Sequence, residues 1–156
     1  MDASHINPFI QGAQNVFKTL CKETPSLGQV FIKKSPYSSS PVTTTLRIVG
    51  DIEGEVIYNM QETDALYMAS LMMMGMPVSS LDEISKSAVS ELTNMISGNV
   101  ATLFFSKGIK IDITPPKFRV GADSADFAFA GALDKIVCVP LKFVSGNTFE
   151  VDIAFP

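Results

Sequence analysis

The 156-residue chain has one histidine and two cysteines. A zinc centre draws three or four ligands from such residues, so one built on imidazole or thiolate is all but excluded. His5 lies near a terminus, where chains commonly fray, and makes a poor base for a Ser-His-Asp triad. Cys21 and Cys138 lie 117 positions apart, without metal-ligand spacing, and read as reduced small hydrophobes rather than a disulfide scaffold. No GxxxxGK[ST] loop and no GxGxxG turn is present. Basic excess is missing too: 12 Lys+Arg stand against 16 Asp+Glu, for a net charge of −4, which argues against general nucleic-acid binding. The longest apolar run, Leu66 to Met76, is broken by Ser70 and Gly75 and is too short to cross a bilayer. The first residues lack the basic region of a signal peptide, so a cytoplasmic location is expected. What remains is a chain with 46% hydrophobic and 18% charged residues, enough for a packed core. Its length predicts one domain over 1–156. An enzyme of this composition brings very little reactive chemistry of its own.

Hydrophobic periodicity places the elements. Ile6, Phe9, Ile10, Ala13, Val16, Phe17 and Leu20 recur at helical spacing, predicting helix one over 5–22 with Pro8 in its first turn. Residues 27–34 read as a strand, and 35–41 as a flexible Ser/Pro loop. Val42 to Val49 alternates as a half-buried strand. Gly50 and Gly54 bracket a turn, and Glu55 to Met60 returns as the partner of a hairpin. Helix two is expected from about Thr63 to Met74, stopped by Gly75 and Pro77. Its five methionines between 68 and 76 fit a promiscuous binding groove. They fit better the commoner role of filling an irregular core or a dimer seam. Ser80 and Glu83 form a capping-box pattern ahead of helix three, expected over about 81–107 with Gly108 as stop. Further strand candidates are 109–114, ending at Pro115-Pro116, then 118–120, 127–133, 135–143 and 148–155. This order predicts an α+β fold: a mainly antiparallel sheet packed with helices, one of them long and central.

Helix three carries the informative surface. At about 100° per residue, with Leu92 at zero, Ala88, Val89, Met95, Ile96 and Leu103 fall within about 60° and should face the core. Glu91, Gly98, Ser87 and Asn94 fall between about −100° and −160°, a polar stripe beside that face. Glu91 and Asn94 are an i,i+3 pair able to touch one partner together. On spacing alone they fit better the commoner role of solvated residues on the wet side of an amphipathic helix. Gly98 costs roughly 1 kcal/mol against alanine in a helix interior, which suggests a close approach by another backbone. Asn99 falls on the apolar side and needs a hydrogen-bonding partner there.

The run Ser87-Ala88-Val89-Ser90-Glu91-Leu92-Thr93-Asn94 matches the pattern [D/S]-x-x-x-E-x-x-N, and Pro115 and Pro116 follow at about the distance where that pattern carries a proline. With ELTNMISGN, GDIEGEVIY, LMMMGM and DITPP, the chain resembles the CheC/CheX/FliY chemotaxis phosphatases over roughly 46 to 155. Having a single such site, and no Glu-x-x-Asn in helix one, it is most similar to the CheX members. The resemblance implies hydrolysis of the aspartyl phosphate on a CheY-like receiver domain. Asn94 would orient the attacking water, and Glu91 would pair with a receiver lysine. Ser87, Glu91 and Gly98 would form the receiver-binding surface. It also implies no cofactor of the chain's own, Mg²⁺ held by the receiver, and a homodimer joined through sheet edges. Neither nucleic acid nor membrane is an expected partner. Two other readings stay open: a module that binds a phosphorylated receiver or flagellar switch component without hydrolysis, and a structural domain alike only in fold.

Overall fold

Alternating apolar residues build the centre of the sheet in the computed structural model, which describes residues 3–127, 129–130 and 135–156. Strands β3 (Val42–Gly50) and β4 (Gly54–Met60) form the expected hairpin, paired from Val42↔Met60 to Ile48↔Gly54. A second hairpin joins β7 (Lys135–Lys142) to β8 (Thr148–Ala154), and β8 lies against β4. Each margin is made of two short strands end to end. β5 (Ile111–Ile113) and β6 (Lys117–Val120) share the free side of β3. β1 (Ser26–Leu27) and β2 (Phe31–Lys34) share that of β7. Every pairing is antiparallel, as the sequence suggested.

Helices α1 (Ala3–Cys21), α2 (Glu62–Met72) and α3 (Glu83–Ser106) supply the apolar layer over one face. Phe9, Phe17, Met68, Leu92, Ile96 and Phe104 pack there on Leu46, Ile48, Val56, Tyr58, Val139 and Val151. The intervening residues of the same strands point the other way. Ile57, Ile136, Cys138 and Ala154 join Tyr37, Phe127 and Ala130 in a smaller cluster on the second face. α1 and α3 cross closely: a Cβ on Gly12 would lie 2.7 Å from Val100 Cγ2 and 3.3 Å from Val100 N.

Several sequence expectations need correction. β3 is buried on both faces rather than half-buried, with Thr43, Thr44 and Thr45 all inside. The 27–34 strand breaks in two, with Gly28 N still bonded to Pro140 O at 2.9 Å. The 35–41 loop is anchored rather than free, since Tyr37 is buried. Pro8 falls beyond the first turn of α1. Of the 127–133 candidate, 128 and 131–133 lie outside the described residues, Phe127 is not in a strand, and Phe129 and Ala130 form a turn. Core filling holds for Met68, whereas Met74 and Met76 stand in solvent, 96% and 63% exposed.

Candidate functional site

α3 begins two residues later than the capping-box pattern suggested. Asp82, not Ser80, is the N-cap, and its carboxylate accepts from Ser85 N at 2.9 Å. The Ser85 N–H and hydroxyl hold the Asp82 carboxyl below its ordinary range. Gly108, at φ +81°, follows the last turn, so the helix has 24 residues rather than about 27.

Its buried face is also turned from the one centred on Leu92. Val89, Leu92, Ile96, Val100 and Phe104 are buried, and so are Thr93 and Ser97, whereas Met95 is exposed. The hydroxyls make this possible. Thr93 Oγ1 donates to Ser90 O at 2.9 Å, and Ser97 Oγ lies 2.8 Å from Tyr58 Oη in the core. With their polar atoms satisfied, two small side chains let the helix press onto the sheet. Burial pushes the Tyr58 phenol well above its ordinary range, so it remains a neutral hydrogen-bonding group.

Ser87, Glu91, Asn94 and Gly98 are therefore all exposed on one outward stripe. Among the described residues, the side chains of Glu91 and Asn94 make no hydrogen bond or ion pair. Beside them lies an open hollow of ≈460 Å³, bounded by Ser87, Ser90, Glu91 and Asn94 on α3 and by Pro116 and Phe118. β6 brings Phe118 there through its pairing with β3, Phe118↔Thr44, which turns the ring to the helix-covered face. Lys86, 3.7 Å from Glu83, stands at the same hollow. Phe118, Ser90 and Lys86 were not singled out from sequence, and Glu83 only as a capping residue. Only the alternation Lys117-Phe118-Arg119 carried a signal for the first, and the others depend on where β6 meets the helix. Gly98 lies outside the hollow, and a Cβ there would meet nothing within 4 Å. No backbone among the described residues approaches it. Asn99 has its partner: Asn15 Nδ2 on α1 donates to Asn99 Oδ1 at 3.2 Å.

One cluster of possible metal ligands forms that sequence spacing did not show. Cys138, Glu150 and Asp152 have ligand atoms within 4.8 Å of one another, on the face away from the helices. Lys33 Nζ already serves as the cation there, 2.7 Å from Glu150 and 3.0 Å from Asp152. Burial and the neighbouring Asp152 push the Cys138 thiol up, far from the thiolate a metal prefers. Burial and the adjacent Glu150 push Asp152 up to about 7, against the pull of Lys33.

The chain has relatives among known proteins. The family model for the chemotaxis phosphatase CheX matches residues 42–138. The CheY-P phosphatase CheX of Thermotoga maritima is 30% identical over 154 residues, covering 99% of this chain and 97% of the relative. A CheC-like superfamily protein from Shewanella sp. PV-4 aligns with a TM-score of 0.83 at 27% identity, covering 100% of this chain and 99% of that one. CheX in the CheX-CheY-BeF3-Mg²⁺ complex from Borrelia burgdorferi aligns with a TM-score of 0.75 at 29% identity, covering 96% of each chain.

Proposed function

Because the chain belongs to the CheX family of chemotaxis phosphatases, we propose that it hydrolyses the aspartyl phosphate of a CheY-like receiver domain with Asn94 and Glu91. The observation that carries this reading is the exposed, unpartnered Glu91–Asn94 pair on one turn of α3, beside a hollow open to a partner. Phosphoryl transfer asks a protein mainly for positioning and charge stabilisation. A carboxamide suits that task, since it can accept one hydrogen from water and donate another to a phosphoryl oxygen. It needs no titration, which explains how a chain with one histidine can catalyse the step. Glu91 sits one helical turn away, placed to meet a cation of the receiver without bringing its charge onto the phosphate. Ser87 and Gly98 extend the same stripe, and the bare Gly98 leaves room for the receiver's backbone.

Mg²⁺ belongs to the receiver, where it neutralises charge on the phosphoryl oxygens. The relative from Borrelia burgdorferi, solved with CheY, BeF3 and Mg²⁺, supports this division of labour. The chain acts as one domain over 1–156 and as a homodimer through sheet margins, in the cytoplasm where such receivers work. No described helix is long and apolar enough to cross a membrane.

Mixing the protein with a phosphorylated receiver and following phosphate release tests the reading. Accelerated release that Asn94→Ala abolishes is the expected result. A stable complex without release would make the chain a binding module. Neither binding nor release would leave a fold without this activity.

A further inference from the structure

A second cavity lies on the sheet face away from the helices, and nothing in the phosphatase reading uses it. It measures ≈360 Å³, within the usual range of small-molecule sites. Strand pairing explains its position. β3 pairs with β6 at 42–45 and with β5 at 48–50; between them Thr114 N donates to Arg47 O at 3.0 Å, and Pro115-Pro116 leaves a gap in the ladder beside Leu46. Prolines have no N–H to continue the ladder. Thr114 tethers the gap, its hydroxyl accepting from Arg47 N at 2.8 Å.

Alternation then fixes what surrounds the gap. Thr45 is paired with Lys117, and Thr43 with Arg119, so Lys117, Arg119 and Arg47 project from the same face. These three cations, the methyl-bearing Thr45, and Pro115 and Pro116 bound the cavity. The two carboxylates at its edge each have a partner, and that of Asp126 is the cavity's own Arg119. Glu55 accepts from Phe129 N at 3.1 Å and Ala130 N at 3.0 Å, and Asp126 lies 3.9 Å from Arg119 Nε. Lys117 has no ion pair among the described residues. Thr45, only 6% exposed, has a hydroxyl without a hydrogen-bond partner among the described residues, as do Thr43 and Thr44. In a chain of net charge −4, three cations against two carboxylates make a local positive site.

We propose that this cavity binds a small organic anion: one carboxylate, sulfonate or phosphate head held by Lys117, Arg119 and Arg47, with a compact apolar body against Thr45, Pro115 and Pro116. Apolar walls with a few convergent charged groups are the usual make-up of such sites. Pro116 also bounds the hollow beside Asn94, so the occupant and a docked receiver would share one wall.

The probe is 8-anilinonaphthalene-1-sulfonate, titrated by fluorescence, with uncharged N-phenyl-1-naphthylamine as control. Saturable binding of the sulfonate is expected, with the uncharged dye at least tenfold weaker. Lys117→Glu, an exposed position, should weaken the sulfonate about tenfold or more, and Arg119→Glu likewise, with circular dichroism checking the fold. Amide shifts in wild-type protein should map to Thr45 and residues 117–119. Equal affinity for the two dyes, or unchanged affinity in folded Lys117→Glu, overturns the proposal. So does a signal that vanishes when the exposed Met74 and Ile84 become serine. None of these readouts depends on phosphatase activity.

Discussion

Asn94 is exposed and unpartnered, yet its position is tightly defined, because it rides on a helix whose neighbouring residues are buried. Asn94→Ala should lower catalysed dephosphorylation about 100-fold or more, the usual scale for losing one preorganised donor. Affinity for a beryllofluoride-activated receiver should barely change, and a binding titration beside a turnover assay separates the two. Asn94→Asp should do no better, since it brings negative charge to a phosphate. Glu91→Ala should act on affinity instead. If its partner cation is desolvated on docking, the loss is a few kcal/mol, or about 30-fold or more in Kd. Raising ionic strength should then weaken wild-type binding more than the variant's. Equal salt dependence would remove the assigned role. Residues of this kind were legible in the sequence because a polar stripe at helical spacing, and a resemblance carried by that stripe, named the same positions. Their companions in the hollow were not, since Phe118 arrives through a strand pairing set by Thr44.

At the scale of elements, α3 shows what periodicity captures and what it misses. The existence of the helix and its Gly108 stop followed from pattern, but its rotation did not. Thr93 and Ser97 count as polar in a helical pattern, yet their hydrogen bonds to Ser90 O and Tyr58 place them inside. The helix depends on α1 behind it, and the two approach closely at Gly12. Gly12→Ala gains up to about 1 kcal/mol in helix propensity. Against that, the new methyl would lie 2.7 Å from Val100 Cγ2 and 3.3 Å from backbone nitrogen. Overpacking costs roughly 1–3 kcal/mol, and a β-branched valine has little freedom to retreat. The clash should win, lowering the melting temperature by a few degrees, since about 1 kcal/mol is worth 2–4 °C at this size. A rise on calorimetry would show that the crossing has slack.

For the whole molecule, the sheet gathers groups no local pattern joins. Asp152 Oδ2 accepts from Tyr37 Oη at 2.6 Å, from Asn59 Nδ2 at 2.9 Å and from Lys33 Nζ at 3.0 Å. Lys33 itself is held above its ordinary range by Asp152 and Glu150, against the burial that lowers it. Because burial raises the Asp152 carboxyl from its ordinary 3.8 to about 7, its favourable contribution is complete below pH 4. It fades as pH rises from about 4 through 7. Asp152→Asn should flatten this part of the stability curve, and denaturant melts at pH 4, 6 and 8 compare the two proteins. Parallel curves would mean that Lys33 keeps the carboxylate charged throughout. Such long-range assemblies were the part hidden in the sequence, while the antiparallel order was visible from strand spacing and turns. The proposed homodimer predicts twice the 16.8 kDa chain mass by light scattering at micromolar concentration. A monomer there would refute it.

Glu91 and Asn94 occupy a single turn of one helix, so their mutual geometry does not depend on distant loops meeting. Such a pair is portable. Grafted three residues apart on a stiff helix of an unrelated scaffold, it would keep its internal spacing, leaving the host only to keep that helix straight and unobstructed.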